Sequence, residues 1–332
     1  MDKKIKNLKN ILKKSQNILI ITHKGPDIDA FCSMLTVFEI LKQIFPSKNI
    51  QMQTKQNPSM NLPGMKNIQI RENIDNTQFD TLIITDASDI DMCKDPQDIL
   101  TTENKNIVII DHHDTIVSQP ENTLLFNNNA SSATEEIYTL FSTAYRKHFK
   151  ITEDIAQLIQ YGIIADTGRF LYDITTPNSL RIFADMMEIS PIDIEDFSYK
   201  KDKFPKESTI AIQEYLKTLT IEGDMAYMYI DRKTIDQNPD LKKGVSEAQA
   251  FLRDKYLRYI QGVHWGFIIK PDNTQQNNWF VSFRSTKGYQ DVKIIAEELG
   301  GGGHIYASGV PMQGDSLDEI LDKVLSVARK YL

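Results

Sequence analysis

Histidine and aspartate recur in a few short stretches of the sequence, at spacings typical of metal ligands: His23, Asp27, Asp29, Asp86, Asp111, His112, His113 and Asp166. Carboxylates packed closely together would repel one another and resist ionisation unless a cation neutralised them. A mixed set of imidazole and carboxylate groups without thiolates favours Mn²⁺, with Mg²⁺, Fe²⁺ and Co²⁺ as alternatives. Because the set exceeds what one ion requires, it predicts two divalent metal ions bridged by one aspartate.

Three runs rich in β-branched residues stand directly before these candidate ligands and predict the strands that position them: Asn17 to Thr22, Asp80 to Thr85 and Asn106 to Ile110. In an open parallel sheet, ligands bind at the carboxyl ends of the strands. The three segments are therefore expected to converge on one crevice. Asp166 joins them from the end of a helix that is predicted from the Thr152 cap to Ala165.

The rest of the first half alternates weaker strands with helices, which is the pattern of a parallel sheet with helices on both faces. Strands are predicted at Ile50 to Thr54 and Thr123 to Phe126. Helices are predicted over the basic opening residues, from Ala30 to Phe45, and after the Ser131-Ser132 cap. We expect an α/β fold whose first domain covers residues 1–189.

The order of elements changes beyond a stretch that mixes Pro, Asp and Lys without a settled period, which predicts a linker at 190–215. Strands are then predicted at Met225 to Ile230, Val263 to Ile269 and Trp279 to Phe283. Helices are predicted at Ser246 to Ile260, Val292 to Leu299 and Ser316 to Tyr331. This pattern indicates a second, smaller α/β domain at residues 216–332.

The composition argues against duplex DNA and anionic membranes as binding partners. The 332 residues carry a formal charge of −7 and show no long basic block, so a protein that coats duplex DNA or lies on an anionic membrane is not expected. No window approaches the roughly 20 apolar residues that a spanning helix requires. Cys32 and Cys93 share no metal-type spacing and predict no disulfide framework, so a cytoplasmic location is expected.

The motifs resemble those of DHH-family phosphoesterases with a DHHA1 domain, a group that includes bacterial oligoribonucleases for nanoRNA and pAp phosphatases. The first half matches the family as HKGPDIDAFCS, ITDASD, IIDHHDT and YGIIADTGRF. The second half matches as VSFRS, DVKIIAEELGGGGH and ASG. The resemblance covers nearly the whole chain and implies a parallel-sheet DHH domain followed by a C-terminal DHHA1 domain.

The resemblance also implies how two metal ions would share the ligands. One ion would be held by His23, Asp27 and Asp86. The other would be held by Asp29, Asp86, His112 and Asp166. Asp86 would bridge the two ions.

Further roles follow from the same resemblance. Asp111 would orient the histidine pair, and His113 would face the scissile phosphate as a hydrogen-bond donor or as the acid for the leaving oxygen. The DHHA1 motifs would bind the rest of the substrate, because arginine grips phosphate with a planar fork and glycines let backbone N–H groups approach an anion. These substrate-binding residues are Arg284, Ser285, Gly301, Gly302, Gly303 and His304.

The activity implied is metal-assisted hydrolysis of short single-stranded oligonucleotides to mononucleotides, and of pAp to AMP, by a chain that could form a homodimer. Hydrolysis of pApA or cyclic di-AMP is the nearest alternative. Inorganic pyrophosphatases share the metal motifs but pair them with a different second domain, and a RecJ-like exonuclease would need a further module to hold a long strand. A nucleotide-binding sensor without turnover is the alternative of another class.

The first motif departs from the commonest family pattern. Many relatives have glycine where this chain has Ile28, and then a small residue, glycine and serine where it has Phe31-Cys32-Ser33. The ligands of the motif are intact. We therefore expect the departure to change the shape of the pocket, and with it the choice of substrate, more than the binding of metal.

Overall fold

The computed structural model describes residues 2–113, 120, 122–272, 275 and 277–332, so Asp114 and Thr115 of the third motif lie outside the described residues. The chain divides into two compact units, Met1–Lys200 and Lys201–Leu332. Among the described residues, no helix is long and apolar enough to cross a membrane.

The first unit is built on a parallel sheet, as predicted. Among the described residues it has six strands in the order β3-β2-β1-β4-β5-β6, and every neighbouring pair is parallel. The strands are β1 Asn17–Thr22, β2 Asn49–Thr54, β3 Ile68–Ile70, β4 Thr81–Thr85, β5 Asn106–Ile110 and β6 Thr123–Phe126. The helices are α1 Asp2–Lys14, α2 Ile28–Ile44, α3 Ala133–Tyr145, α4 Glu153–Asp166, α5 Pro177–Ile189 and α6 Ile194–Asp202.

Side-chain caps fix where the helices near the predicted ligands begin. The Asp27 carboxylate accepts a hydrogen bond from the backbone N–H of Ala30 at the start of α2. Ser132 and Thr152 cap α3 and α4 in the same way, which confirms both caps predicted from the sequence. The first ligand motif is thereby tied to the first turn of a helix.

Successive residues of the strands supply two separate cores, because side chains alternate between the two faces of a sheet. Ile18 and Ile20 pack in the larger core with the helices. Leu19 and Ile21 pack in a smaller core whose other members come mainly from neighbouring strands and from the segment between residues 74 and 100. The helical part of that segment is the 3-10 helix Asp91–Cys93, so among the described residues the helical cover predicted for this face has only that short form.

The predicted linker at 190–215 is not irregular. It contains α6 and the first residues of α7 Ser208–Lys217, and the division between the two units falls inside α6. The sequence gives a weak signal here because Phe197 is the fully buried side chain of α6, whereas most of its neighbours are exposed. One buried residue cannot produce the repeated spacing of apolar residues from which a helix is predicted.

The second unit has a mixed sheet. Its described strands follow the order β11-β12-β10-β9-β8-β7, in which β8 and β9 are parallel and the other pairs are antiparallel. The strands are β7 Thr220–Glu222, β8 Met225–Tyr229, β9 Trp265–Pro271, β10 Asn278–Ser285, β11 Gly302–His304 and β12 Ala307–Gln313. The remaining helices are α8 Arg232–Gln237, α9 Pro239–Lys242, α10 Val245–Lys255, α11 Val292–Glu298 and α12 Leu317–Ala328.

Candidate metal centre

The centre lies at the carboxyl ends of β1, β4 and β5, which are neighbours in the sheet. His23, Asp86 and Asp111 each directly follow one of these strands. Asp86 adopts a left-handed backbone conformation, with φ of 55°, and its N–H donates to the carbonyl of Ile110 at 3.0 Å. This sharp turn holds the Asp86 carboxylate at the strand ends.

Asp86 stands between histidines from two strand ends. Its Oδ2 is 3.6 Å from His23 Nε2, and its Oδ1 is 3.5 Å from His112 Nε2 and 3.8 Å from His113 Nδ1. These separations exceed those of good N–H···O hydrogen bonds. They match two ligand atoms that share one ion, since atoms about 2.0–2.2 Å from an ion lie roughly 3–4 Å apart.

The predicted ligands form three overlapping groups, within each of which the ligand atoms lie no more than 4.8 Å apart. The groups are His23 with Asp27 and Asp86, Asp86 with His112 and His113, and Asp29 with His112 and Asp166. His112 Nε2 is 3.0 Å from Asp166 Oδ2. The structure therefore brings together all six residues predicted to bind metal.

Two buried polar atoms of this set make no hydrogen bond within the described part of the chain, which fits a bound cation. Among the described residues, Asp86 Oδ1 and His112 Nε2 are buried and make no hydrogen bond. An unsatisfied buried polar group costs about 1–3 kcal/mol. Both atoms belong to groups that could bind an ion, and coordination would satisfy them.

The pKa values of these groups also indicate that the site favours positive charge. Burial, together with the neighbouring carboxylates, raises the pKa of Asp29 and of Asp166. The neighbouring Asp86 carboxylate raises the pKa of His23 to about 9. Burial alone would lower the pKa of His112, but Asp166 and Asp86 raise it to about 11. In the metal-free protein, protonated imidazoles thus offset the carboxylates.

Asp111 and His113 form a pair beside this centre. Asp111 is buried, and its Oδ1 is 2.8 Å from His113 Nδ1, whereas the side chain of His113 is 47% exposed. Asn127, which the sequence analysis did not single out, donates from Nδ2 to the His113 carbonyl at 2.7 Å. Its position directly after a predicted strand was the available signal.

The groups that surround Asp29 were not predicted from the sequence. This carboxylate is fully buried and accepts hydrogen bonds from the first turn of α3, including one from Thr134 Oγ1 at 2.5 Å. A Cβ at Gly162 would lie 2.4 Å from Asp29 Oδ1. Glycine inside a helix destabilises it by about 0.5–1 kcal/mol relative to alanine. A glycine at position 162, within a predicted helix, was therefore the available sign that another group approaches the backbone closely.

Comparison with known proteins identifies the architecture. The family model described as "DHH family, N-terminal domain" matches residues 17–163, and the DHHA1 domain model matches residues 240–330. The chain belongs to the DHH family of phosphoesterases. This confirms the resemblance found in the motifs and places the chain among the hydrolases.

Relatives of this DHH-family chain extend over nearly its full length. It is 26% identical over 321 residues to the bifunctional oligoribonuclease and PAP phosphatase NrnA of Bacillus subtilis, which covers 95% of both chains. It is 24% identical over 354 residues to the cyclic-di-AMP phosphodiesterase GdpP of B. subtilis, covering 98% of this chain and 49% of GdpP. The exopolyphosphatase-related protein of Bacteroides fragilis shares the fold, with a TM-score of 0.79, 19% identity and coverage of 100% of this chain and 97% of that one.

A cavity of about 190 Å³ opens beside His23 in the DHH domain. Ile74 and Cys93 are its buried apolar residues, and Lys24 and Lys55 contribute amines. The Lys55 amine is already held by Asp95 at 2.7 Å and by Asp98 at 2.9 Å. The volume is below the roughly 300 Å³ at which pockets for drug-sized ligands begin, so the cavity suits only a part of a nucleotide.

Two of the predicted substrate-binding residues lie on the strands that flank β12 in the second unit. Arg284 on β10 and His304 on β11 both pair with Ala307 of β12, which places them in one row across the sheet. Arg284 Nε donates to Asp254 Oδ1 at 2.9 Å. Ser285, by contrast, is fully buried, and its hydroxyl donates to the Thr286 carbonyl at 3.2 Å.

The predicted glycine run is part of an edge strand rather than a free loop. Gly302 and Gly303 belong to β11 and pair with β12. A Cβ at Gly301 would lie 2.3 Å from the carbonyl oxygen of Gly309, whereas a Cβ at Gly302 would meet no atom within 4 Å. Close strand packing therefore explains the glycine at 301 and leaves Gly302 open to another role.

Proposed function

We propose that this chain hydrolyses phosphoesters of short oligonucleotides and small nucleotides, using two divalent metal ions held by the DHH domain. The observation that carries the proposal is the position of Asp86, whose two carboxylate oxygens face different histidines in two of the ligand groups. The ligand assignment follows the family: His23, Asp27 and Asp86 for one ion, and Asp29, Asp86, His112 and Asp166 for the other.

Bound divalent ions would supply Lewis-acid activation of water and of the phosphoester, with Mn²⁺ the ion best suited to this oxygen and nitrogen set. The protein's own residues do the rest. The Asp111 carboxylate fixes the His113 ring, whose exposed face is available to donate a proton to the leaving oxygen. Asn127 holds the backbone of the same histidine.

The names of the relatives support nanoRNA and pAp as the leading candidate substrates. NrnA of B. subtilis is named for oligoribonuclease and PAP phosphatase activities, so we propose cleavage of nanoRNA to mononucleotides and of pAp to AMP. The name of GdpP favours cyclic di-AMP, and with it pApA, as the second candidate. Arg284 and His304, aligned in one row of the DHHA1 sheet, would bind the remaining phosphate or base of the substrate.

A product time course with Mn²⁺ tests the proposal on short RNAs, short DNAs, pAp, pApA, cyclic di-AMP and pyrophosphate. We expect short RNAs and pAp to be cleaved fastest, and a chelator to abolish every rate. Faster cleavage of pApA or cyclic di-AMP would favour the second candidate. Specific binding of a nucleotide without turnover of any substrate would favour a sensor.

A further inference from the structure

The first turn of α3 binds the Asp29 carboxylate through three hydrogen bonds. The backbone N–H of Ala133 donates to Oδ2 at 2.7 Å, and the backbone N–H of Thr134 donates to Oδ1 at 3.3 Å. The Thr134 hydroxyl donates to the same Oδ1 at 2.5 Å. Residues about a hundred positions apart in the sequence are thus fixed to one another at the metal centre.

These donors leave limited freedom to the carboxylate. An ionised carboxylate offers about four acceptor positions, and the first turn of α3 takes up three of them. Asp29 is fully buried and lies in a ligand group with His112 and Asp166. The remaining acceptor capacity is therefore available to an ion at that group.

The Thr134 hydroxyl is itself held in place. Ser33 Oγ on α2 is 3.1 Å from Thr134 Oγ1. Because the hydroxyl hydrogen of Thr134 is donated to Asp29, Ser33 must be the donor of this second bond. Gly162 on α4 leaves the room, since a Cβ there would lie 2.4 Å from both Asp29 Oδ1 and Thr134 Oγ1. Three helices thus meet at one carboxylate oxygen.

We propose that Thr134 is a positioning residue, which holds the Asp29 carboxylate in the orientation that binds one of the two metal ions. The inference rests on the metal assignment of the proposed function. Asp29 belongs to the group with His112 and Asp166, and not to the group of His23, Asp27 and Asp86. Loss of the hydroxyl therefore weakens one ion and leaves the other in place.

The test is a calorimetric titration of the metal-free full chain with Mn²⁺. Thr134→Val keeps the shape of the side chain and removes the hydroxyl. Groups that orient metal ligands typically contribute 10- to 100-fold to affinity, so one of two binding events is expected to weaken by about that factor. Thr134→Ser restores the donor and should restore the affinity. Thr143→Val is the matched control, because Thr143 lies on the same helix, is exposed and bonds to the Thr139 carbonyl.

Two results would overturn the inference: unchanged binding of both ions, or equal weakening of both in a variant with the wild-type urea midpoint. Should Thr134→Val not fold, Ser33→Ala removes the bond that fixes the Thr134 hydroxyl, and it must weaken the same binding event. A wild-type chain that binds two Mn²⁺ ions without cleaving any substrate would refute the proposed function alone. A wild-type chain that binds no metal would refute both.

Discussion

At the scale of single residues, Asp86 is the group on which the proposed metal centre depends. It is buried and lies within 4 Å of histidines from two strand ends. Asp86→Ala removes a proposed ligand from both ions, so we expect the largest loss of any single substitution, on the order of 10³-fold in kcat or more. Hydrolysis of pAp and bound Mn²⁺ should be measured together. Asp91→Ala, which removes an exposed carboxylate nearby, is the control and should behave as wild type.

His113 is expected to act on the substrate rather than on the metals. His113→Ala should leave the Mn²⁺ content close to that of the wild type while it slows turnover about 10²- to 10⁴-fold, the usual contribution of a general acid. An ester with a good leaving group needs no proton and should be slowed much less. Because His113 also stands in a ligand group with Asp86 and His112, a loss of metal equal to that of Asp86→Ala would show that it is a ligand.

The pKa values predict that metal binding strengthens as the pH rises. His23 has a pKa of about 9 and His112 of about 11 without metal, so both carry protons at neutral pH. A metal binds only the neutral imidazole, so Mn²⁺ must displace these protons. Affinity should therefore rise from pH 6 to pH 9, and binding at pH 7 should release protons, measurable by calorimetry in buffers of different ionisation enthalpy. Affinity independent of pH would contradict this assignment.

The raised pKa of His23 also determines how the stability of the metal-free protein changes with pH. A histidine whose pKa is raised by folding contributes stability that is complete below its unfolded value and is lost as the pH passes its folded value. For His23 this window runs from about pH 6.5 to about pH 9. The urea midpoint of the metal-free protein should fall across that range, whereas bound Mn²⁺ should oppose the fall.

At the scale of elements, the sequence predicts what is local. β1 and β5 were predicted to the residue, because β-branched runs and the polar residues that follow them are short-range signals. Of the proposed metal ligands, His23 directly follows β1 and His112 lies two residues beyond β5. Thr134 and Gly162 could not be predicted in the same way, since their importance comes from the packing of α2, α3 and α4 around Asp29.

The approach of α4 to Asp29 gives a prediction about Gly162. In an exposed helix, a change from glycine to alanine is stabilising. Here the added Cβ would lie 2.4 Å from Asp29 Oδ1, so Gly162→Ala should cost about 1–3 kcal/mol in unfolding free energy and also weaken Mn²⁺ binding. Gly302→Ala, where the added Cβ meets no atom within 4 Å, should leave the urea midpoint unchanged. Equal stability of the two variants would contradict the packing argument.

At the scale of the whole molecule, the functional groups are divided between the two units. Every proposed metal ligand lies in the first unit, whereas Arg284 and His304 lie in the second. The motifs predicted this division through their family resemblance, but they did not predict the helices that occupy 190–215 or the strand that contains the glycine run. Both features depend on packing partners far along the chain.

This division predicts that Arg284 contributes to the binding of the substrate and does not affect the binding of the metal ions. Arg284→Ala removes a guanidinium group suited to a phosphate, a loss worth about 1.5–3 kcal/mol, or roughly 10- to over 100-fold in kcat/KM for pAp and dinucleotides. In this variant Asp254 still pairs with Arg253, whose Nη2 is 2.5 Å from Asp254 Oδ2, so the fold should be retained.

A small generic phosphodiester, which has no second phosphate or base for Arg284 to bind, should be cleaved equally by the Arg284→Ala variant and the wild type. Arg329→Ala, which removes an exposed ion pair with Glu222 in the same unit, is the control. Unchanged kinetics on pAp, or an equal loss on the generic ester, would show that Arg284 does not bind the substrate phosphate.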